Sequence, residues 1–259
     1  VGTQPAVLPV RHAGSLPCPD ARAAVVGAAV GAAVSTATVD LQHVGESADE
    51  ASVKAALEMA RLDYLYEPRP DRLMHRVIGM LSAGRLVGWF EGRTDLGDVP
   101  SGARVILASA AERYSRDNVN VYLRRRPLEA PLTVALTVEA ARDVFGARAP
   151  VAGRRERLPV PTRVAASFEG AIGASGTVDV VTIDGQATPG LHALLTQHHA
   201  RTAHPALIVA PLAPADGAIA ARPIDALAVT YATPVDALVL GRFVVFKDYW
   251  LLRSGLTPA

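Results

Sequence analysis

A single cysteine, Cys18, stands among 259 residues. One thiol cannot close an internal disulfide, and it excludes a Cys-based zinc site. No bridge calls for an oxidising compartment, so the cytoplasm is the expected location. Charge of either sign in excess is also missing, since the formal net charge is +1. That balance gives no electrostatic case for an acidic partner. Aromatic residues make up only 5%. The basic runs at Arg124 to Arg126 and at Arg154, Arg155 and Arg157 carry no aromatic interleaving and no nucleic-acid motif. They are read as solvated loop charge, and a nucleic-acid partner is excluded. No apolar run is long enough for a bilayer, which takes about 20 residues. The nearest is "ARAAVVGAAVGAAV", Ala21 to Val34. It holds no Leu or Phe and follows Pro17 and Asp20, so it reads as part of an Ala/Gly helix, Ala21 to Thr36, in preference to a signal peptide, and no membrane contact is expected.

What is present suits a folded chain. Hydrophobic residues are 50% and charged residues 20%, enough for one large domain or two small ones. Residues 1 to 20 are Pro-rich and aperiodic, which describes a loose arm. "SADEASVKAALEMARL" has Ser47 and Glu50 at capping-box spacing, then Val53, Ala56, Leu57 and Ala60 on one helical face. "PDRLMHRVIGMLSAG" repeats the pattern with Leu73, Val77 and Leu81, and Gly84 ends it. Strands are expected at Leu86–Phe90, Val105–Ala108, Leu132–Leu136, Arg163–Ala166, Val178–Ile183, Ala206–Val209, Ala237–Leu240 and Phe243–Phe246. Further helices are expected from a Ser109/Glu112 capping box, at Val138–Phe145, at Pro189–Ala203 and at Pro223–Tyr231. Residues 146–160 read as a basic connection. Interleaved strands and helices mean an α/β protein.

Single features carry little chemistry. His192, His198, His199 and His204 form the histidine cluster. His192 and His199 lie two helical turns apart, poor spacing for chelation, and no carboxylate or cysteine is near in sequence. They read as ordinary helix histidines, and no metal is expected. Cys18 has no local base and is not assigned a nucleophilic role. Trp250, Leu251 and Leu252 suit either a partner anchor or a core cover. No catalytic residue is assigned.

Two longer phrases carry a resemblance. "AGRLVGWFEGRTDLG" resembles "GKVVGWFQGRMEFG", and "PIDALAVTYATPVDALVLGRFVVFK" resembles "PEDALRTFLRTGLDALVLGDFLVEK". Both belong to the O-carbamoyltransferases of antibiotic and nodulation-factor biosynthesis. The match is to their C-terminal domain, whose fold resembles threonylcarbamoyl-adenylate synthase. The resemblance implies an α/β fold, a mixed twisted sheet with flanking helices. It divides the chain into an arm and helical remnant, 1–45, and a carbamoyltransferase C-terminal-like domain, 46–259. Most of the family's actin-like N-terminal domain, with its paired metal-binding histidines, has no counterpart in this sequence.

In the family this domain is understood to join carbamoyl phosphate and ATP into carbamoyl adenylate. ATP is thus the nucleotide that the resemblance implies. It also implies phosphate contacts at Arg93, Arg104, Arg125, Arg126 and Arg163. The polar set is thinned, however. Val99 and Pro100 stand where the family loop has its middle arginine, and Glu129 replaces another. Arg163 and Ala165 replace a histidine and an aspartate, and "LLNTSFN" becomes "LIVAPLA", Leu207 to Ala213. Fold-bearing positions such as Gly88, Trp89, Phe90, Gly92 and Gly241 are kept. Three readings therefore compete. One is a divergent carbamoyltransferase component of natural-product biosynthesis, weak or inactive alone. Another is a non-catalytic paralogue serving a biosynthetic partner protein. The third is a binding module for a hydrophobic small molecule around Ile208 to Ala213.

Overall fold

The computed structural model describes residues 47–94, 102–152 and 154–247. The helix expected at 21–36, the arm before it, Cys18, Asp95 to Pro100 and Trp250 to Leu252 lie outside these residues.

In chain order the elements are α1 (Glu50–Met59), β1 (Leu65–Tyr66), α2 (Pro70–Ser82), β2 (Val87–Phe90) and β3 (Arg104–Ser109). A π-type helix, Asp117–Leu123, precedes β4 (Thr133–Thr137) and α3 (Val138–Phe145). Then come β5 (Arg155–Pro159), a 3₁₀ stretch at Thr162–Phe168, β6 (Thr177–Ile183), α4 (Pro189–Thr202) and β7 (Leu207–Pro211). The described chain closes with α5 (Pro223–Ala232), β8 (Ala237–Leu240) and β9 (Phe243–Phe246).

All nine described strands form one mixed sheet, ordered β1-β9-β8-β2-β3-β7-β4-β6-β5. The pairs β2/β8 and β4/β6 are parallel, and the other neighbours are antiparallel. This is the mixed α/β architecture expected. Strand alternation sends Val87, Trp89, Val105, Leu107, Val209 and Val239 to one face, where α2 and α4 cover them. Phe90, Ile106, Ala108, Val134, Ile208 and Leu238 face the other way, under α1, α3 and α5. Both faces are buried, which is why the central strands read as unbroken apolar runs. At Gly88 a Cβ would lie 2.8 Å from Leu238 Cδ1 and 3.3 Å from Leu212 Cδ1, so this kept glycine lets neighbouring side chains close over the strand.

Local signals explain most elements. Asp49, not Ser47, caps α1: its carboxylate accepts the Ser52 N–H at 2.8 Å. Thr137 caps α3, accepting from Ala140 N at 3.2 Å. Pro stands at the first turn of α2, α4 and α5. Three expectations need correction. Ser109 ends β3 and caps nothing, and the helix after it is the π-type turn at Asp117–Leu123. The segment at Arg163–Ala166 is 3₁₀, not strand. Strand β5 lies inside the span read as a connection, on the sheet edge, where three of its first residues are exposed charges.

Candidate functional site

Strand register gathers several chain ends at one end of the sheet. Phe90, the last residue of β2, pairs with Arg104, the first of β3, and with Leu240, the last of β8. Val105 pairs with Pro211 at the end of β7, and Thr133 opens β4 opposite Val209. Arg93, Arg104 and the Arg124–Arg126 run attach to this end, because Arg124 and Arg126 reach carbonyls just beyond β7 and just before β4.

Arg104 is 2% exposed. Its guanidinium donates to the carbonyl of Glu91, to that of Ala103 at 3.0 Å and to that of Gly92 at 2.9 Å. It also stacks 3.5 Å from the Phe90 ring centroid. The side chain thus closes the base of the loop between β2 and β3. Arg93 is exposed, and its backbone bridges Ser47.

The arginine turn is tied from both sides. Asn120, fully buried in the π-type helix, donates to the Leu128 and Ala130 carbonyls at 2.7 and 2.8 Å and accepts from Arg126 Nε at 2.6 Å. Arg126 also donates to the Pro131 carbonyl at 3.0 Å. Arg124 reaches the carbonyls of Ala213 and Pro214 at 3.3 and 3.1 Å. Burial pulls the pKa of both guanidinium groups down, although such groups stay charged. Between them Arg125 takes a left-handed backbone, φ 49°, and is exposed. It makes no hydrogen bond or ion pair among the described residues. It lines a cavity of about 300 Å³ with Tyr122, Pro214, Asp216 and Pro234.

Arg163 is apart from this group in its contacts. It donates to the Asp143 and Val144 carbonyls at 2.7 and 2.8 Å, near the C-terminus of α3. Arg104, Arg126 and Arg163 therefore direct hydrogen bonds to main-chain carbonyls. Ile208, Val209, Ala210, Leu212 and Ala213 are buried at 0–5% exposure.

Two residues that sequence reasoning passed over organise this end. One is Asn120. The other is Glu91, whose carboxylate accepts the Gly190 and Leu191 N–H groups at 2.6 and 2.9 Å and the Trp89 indole N–H at 3.0 Å. It caps α4 across 99 positions of chain. Its signal was its place inside the "GWFEGR" phrase, where the resembling phrase has Gln; Asn120 had only its polarity between two valines.

Of the histidine cluster, His198 is a core residue. His198 is 1% exposed, with Nδ1 3.0 Å from the His204 carbonyl, and burial pushes its pKa down to about 4. His204 Nδ1 lies 3.0 Å from Ser167 Oγ, and His192 Nε2 lies 3.9 Å from Glu139. Among the described residues no three acidic, histidine or cysteine side chains form a metal-sized group, and no helix is long and apolar enough to cross a membrane.

The family described as "Carbamoyltransferase C-terminus" matches residues 78–247. Nodulation protein NolO of Bradyrhizobium diazoefficiens is 25% identical over 203 residues, 73% of this chain and 36% of that protein. The 3'-hydroxymethylcephem-O-carbamoyltransferase of Streptomyces clavuligerus is 28% identical over 146 residues, 52% of this chain and 27% of that protein. The chain thus spans about a third or less of these relatives' length. Among solved structures, a variant of P. abyssi Sua5 aligns with a TM-score of 0.38 at 14% identity, covering 54% of this chain and 38% of that one.

Proposed function

The chain belongs to the carbamoyltransferase C-terminus family, and on that premise we propose a divergent carbamoyltransferase component whose power to activate carbamoyl phosphate with ATP is weak or absent in the chain alone. One observation carries this reading. Arg104, Arg126 and Arg163, three of the five guanidinium groups that the resemblance offers to phosphate, donate to backbone carbonyls. Each is built into the fold, and a phosphate would have to break those bonds to claim it. Arg93 and Arg125, both exposed, are the better placed phosphate contacts.

The residues present do not suit ATP. Val209, Ala210 and Ala213 offer apolar side chains, buried in the core, where a nucleotide needs a polar clamp. The same burial removes support from a hydrophobic-metabolite cleft at Ile208 to Ala213. A setting in natural-product biosynthesis is supported by the cephem carbamoyltransferase among the relatives. A second reading, a non-catalytic paralogue serving a partner protein, is favoured by the apolar side chains exposed at Tyr114, Val121, Tyr122 and Leu128.

The test is calorimetric titration with ATP and with carbamoyl phosphate, separately and together. The expected result is no heat with ATP and carbamoyl phosphate binding no tighter than millimolar, about −4 kcal/mol. Micromolar binding, about −8 kcal/mol, weakened by Arg93→Ala and accompanied by pyrophosphate release, overturns the inactive reading.

A further inference from the structure

Exposed apolar side chains are concentrated on one short segment. Of eight large apolar residues exposed among those described, Tyr114, Val121, Tyr122 and Leu128 fall between positions 114 and 128. Tyr122 is 66% exposed and Tyr114 61%. The segment is firmly based, because Asn120 and Leu123 of the same π-type helix are buried at 0% and 2% exposure. A rigid base with projecting tyrosines is the composition of an interface core.

The cavity of about 300 Å³ opens beside Tyr122, with Pro214 and Pro234 as apolar walls. Arg125 and Asp216 also line it, and no ion pair joins them. Arg125 holds its place on a left-handed backbone that a non-glycine residue adopts only when its surroundings impose it. A projecting ring, a hole to receive one, a cation unpaired among the described residues and an exposed carboxylate thus share one patch.

That combination selects the occupant. A uniformly acidic partner would leave Asp216 facing like charge, and a basic one would do the same to Arg125. A second copy of the same patch, turned through a twofold axis, satisfies both charges at once.

We propose that this face is an isologous dimer interface, in which each copy's Tyr122 enters the other's cavity and Arg125 pairs with the partner's Asp216. The interface does not rest on the phosphate reading: in the dimer it takes Arg125 away from phosphate and leaves Arg93 to that role, and sedimentation in phosphate-free buffer reports on it alone.

Sedimentation velocity of the full chain from ~5 to ~200 µM is the measurement. The expected result is a concentration-dependent dimer. Tyr122→Ala weakens it at least ~tenfold. Arg125→Asp and Asp216→Arg each weaken it similarly, and the two together restore it, because the pair is re-formed with its signs exchanged. Circular dichroism of each variant confirms that it is folded, and the rescue by the double variant separates pairing from misfolding. A monomer at ~200 µM, a dimer indifferent to all three substitutions, or a double variant no better than the singles overturns the proposal.

Discussion

Asn120 Oδ1 accepts the Arg126 Nε–H at 2.6 Å, while the other end of the same amide holds the Leu128 and Ala130 carbonyls. One buried side chain thus fixes a helix, the arginine turn after it and the approach to β4. Asn120→Ala leaves two carbonyls and a guanidinium without their partner. The expected loss is about 2–4 kcal/mol of unfolding free energy in urea. A loss under about 1 kcal/mol would mean that water replaces the amide and the clasp is dispensable.

Arg104 should behave as a structural residue. Its fork spans three carbonyls and covers Phe90. Arg104→Lys keeps the charge but not the planar donor set, and about 1.5–3 kcal/mol should be lost. Thermal unfolding reads this directly. An unchanged melting temperature would return Arg104 to the pool of ligand contacts.

Glu91 ties the end of β2 to the first turn of α4. Glu91→Ala removes the acceptor for Gly190, Leu191 and Trp89, at a cost of about 1–2 kcal/mol. Glu91→Gln keeps one acceptor oxygen and should cost less. Hydrogen exchange at Gly190 and Leu191 should quicken in the alanine variant, and unaltered protection there would refute the capping role.

His198 gives stability a pH dependence. In the folded chain its ring stays neutral down to about pH 4, against an ordinary value of 6.5. Between those values the unfolded chain binds the extra proton, so stability falls as pH falls through this window. The gap corresponds to about 3 kcal/mol. His198→Leu should flatten the difference between urea midpoints at pH 7 and pH 4.5. Equal slopes for both proteins would show that His198 does not carry the effect.

Much of the fold was legible because burial writes itself into sequence. Central strands such as Val105 to Ala108 are apolar throughout, since helices cover both faces. Pro223 and Pro189 mark helix starts that the structure keeps. Edge strand β5 was not legible, because its exposed Arg155, Glu156 and Arg157 look like loop charge. The π-type helix was read as an ordinary one, since its wider turn has no periodic signature over seven residues. The arginines show the deeper limit. A guanidinium suits a phosphate and a row of carbonyls equally well, and only tertiary placement distinguishes Arg104 from Arg125.

Sheet order has a consequence for how this protein is made. Strands β8 and β9, the last of the described strands in chain order, insert between β1 and β2, the first two. Until they arrive, β2 lacks its parallel neighbour, Asp236 cannot meet the Leu86 amide, and the cover over Val87 and Trp89 is incomplete. Closure of this sheet therefore waits until β8 and β9 have been made, and until then the nascent chain carries an open apolar edge. Holdase chaperones that mask such edges are the expected company of the unfinished chain, and stalling translation just before residue 236 would trap it in its most adhesive form.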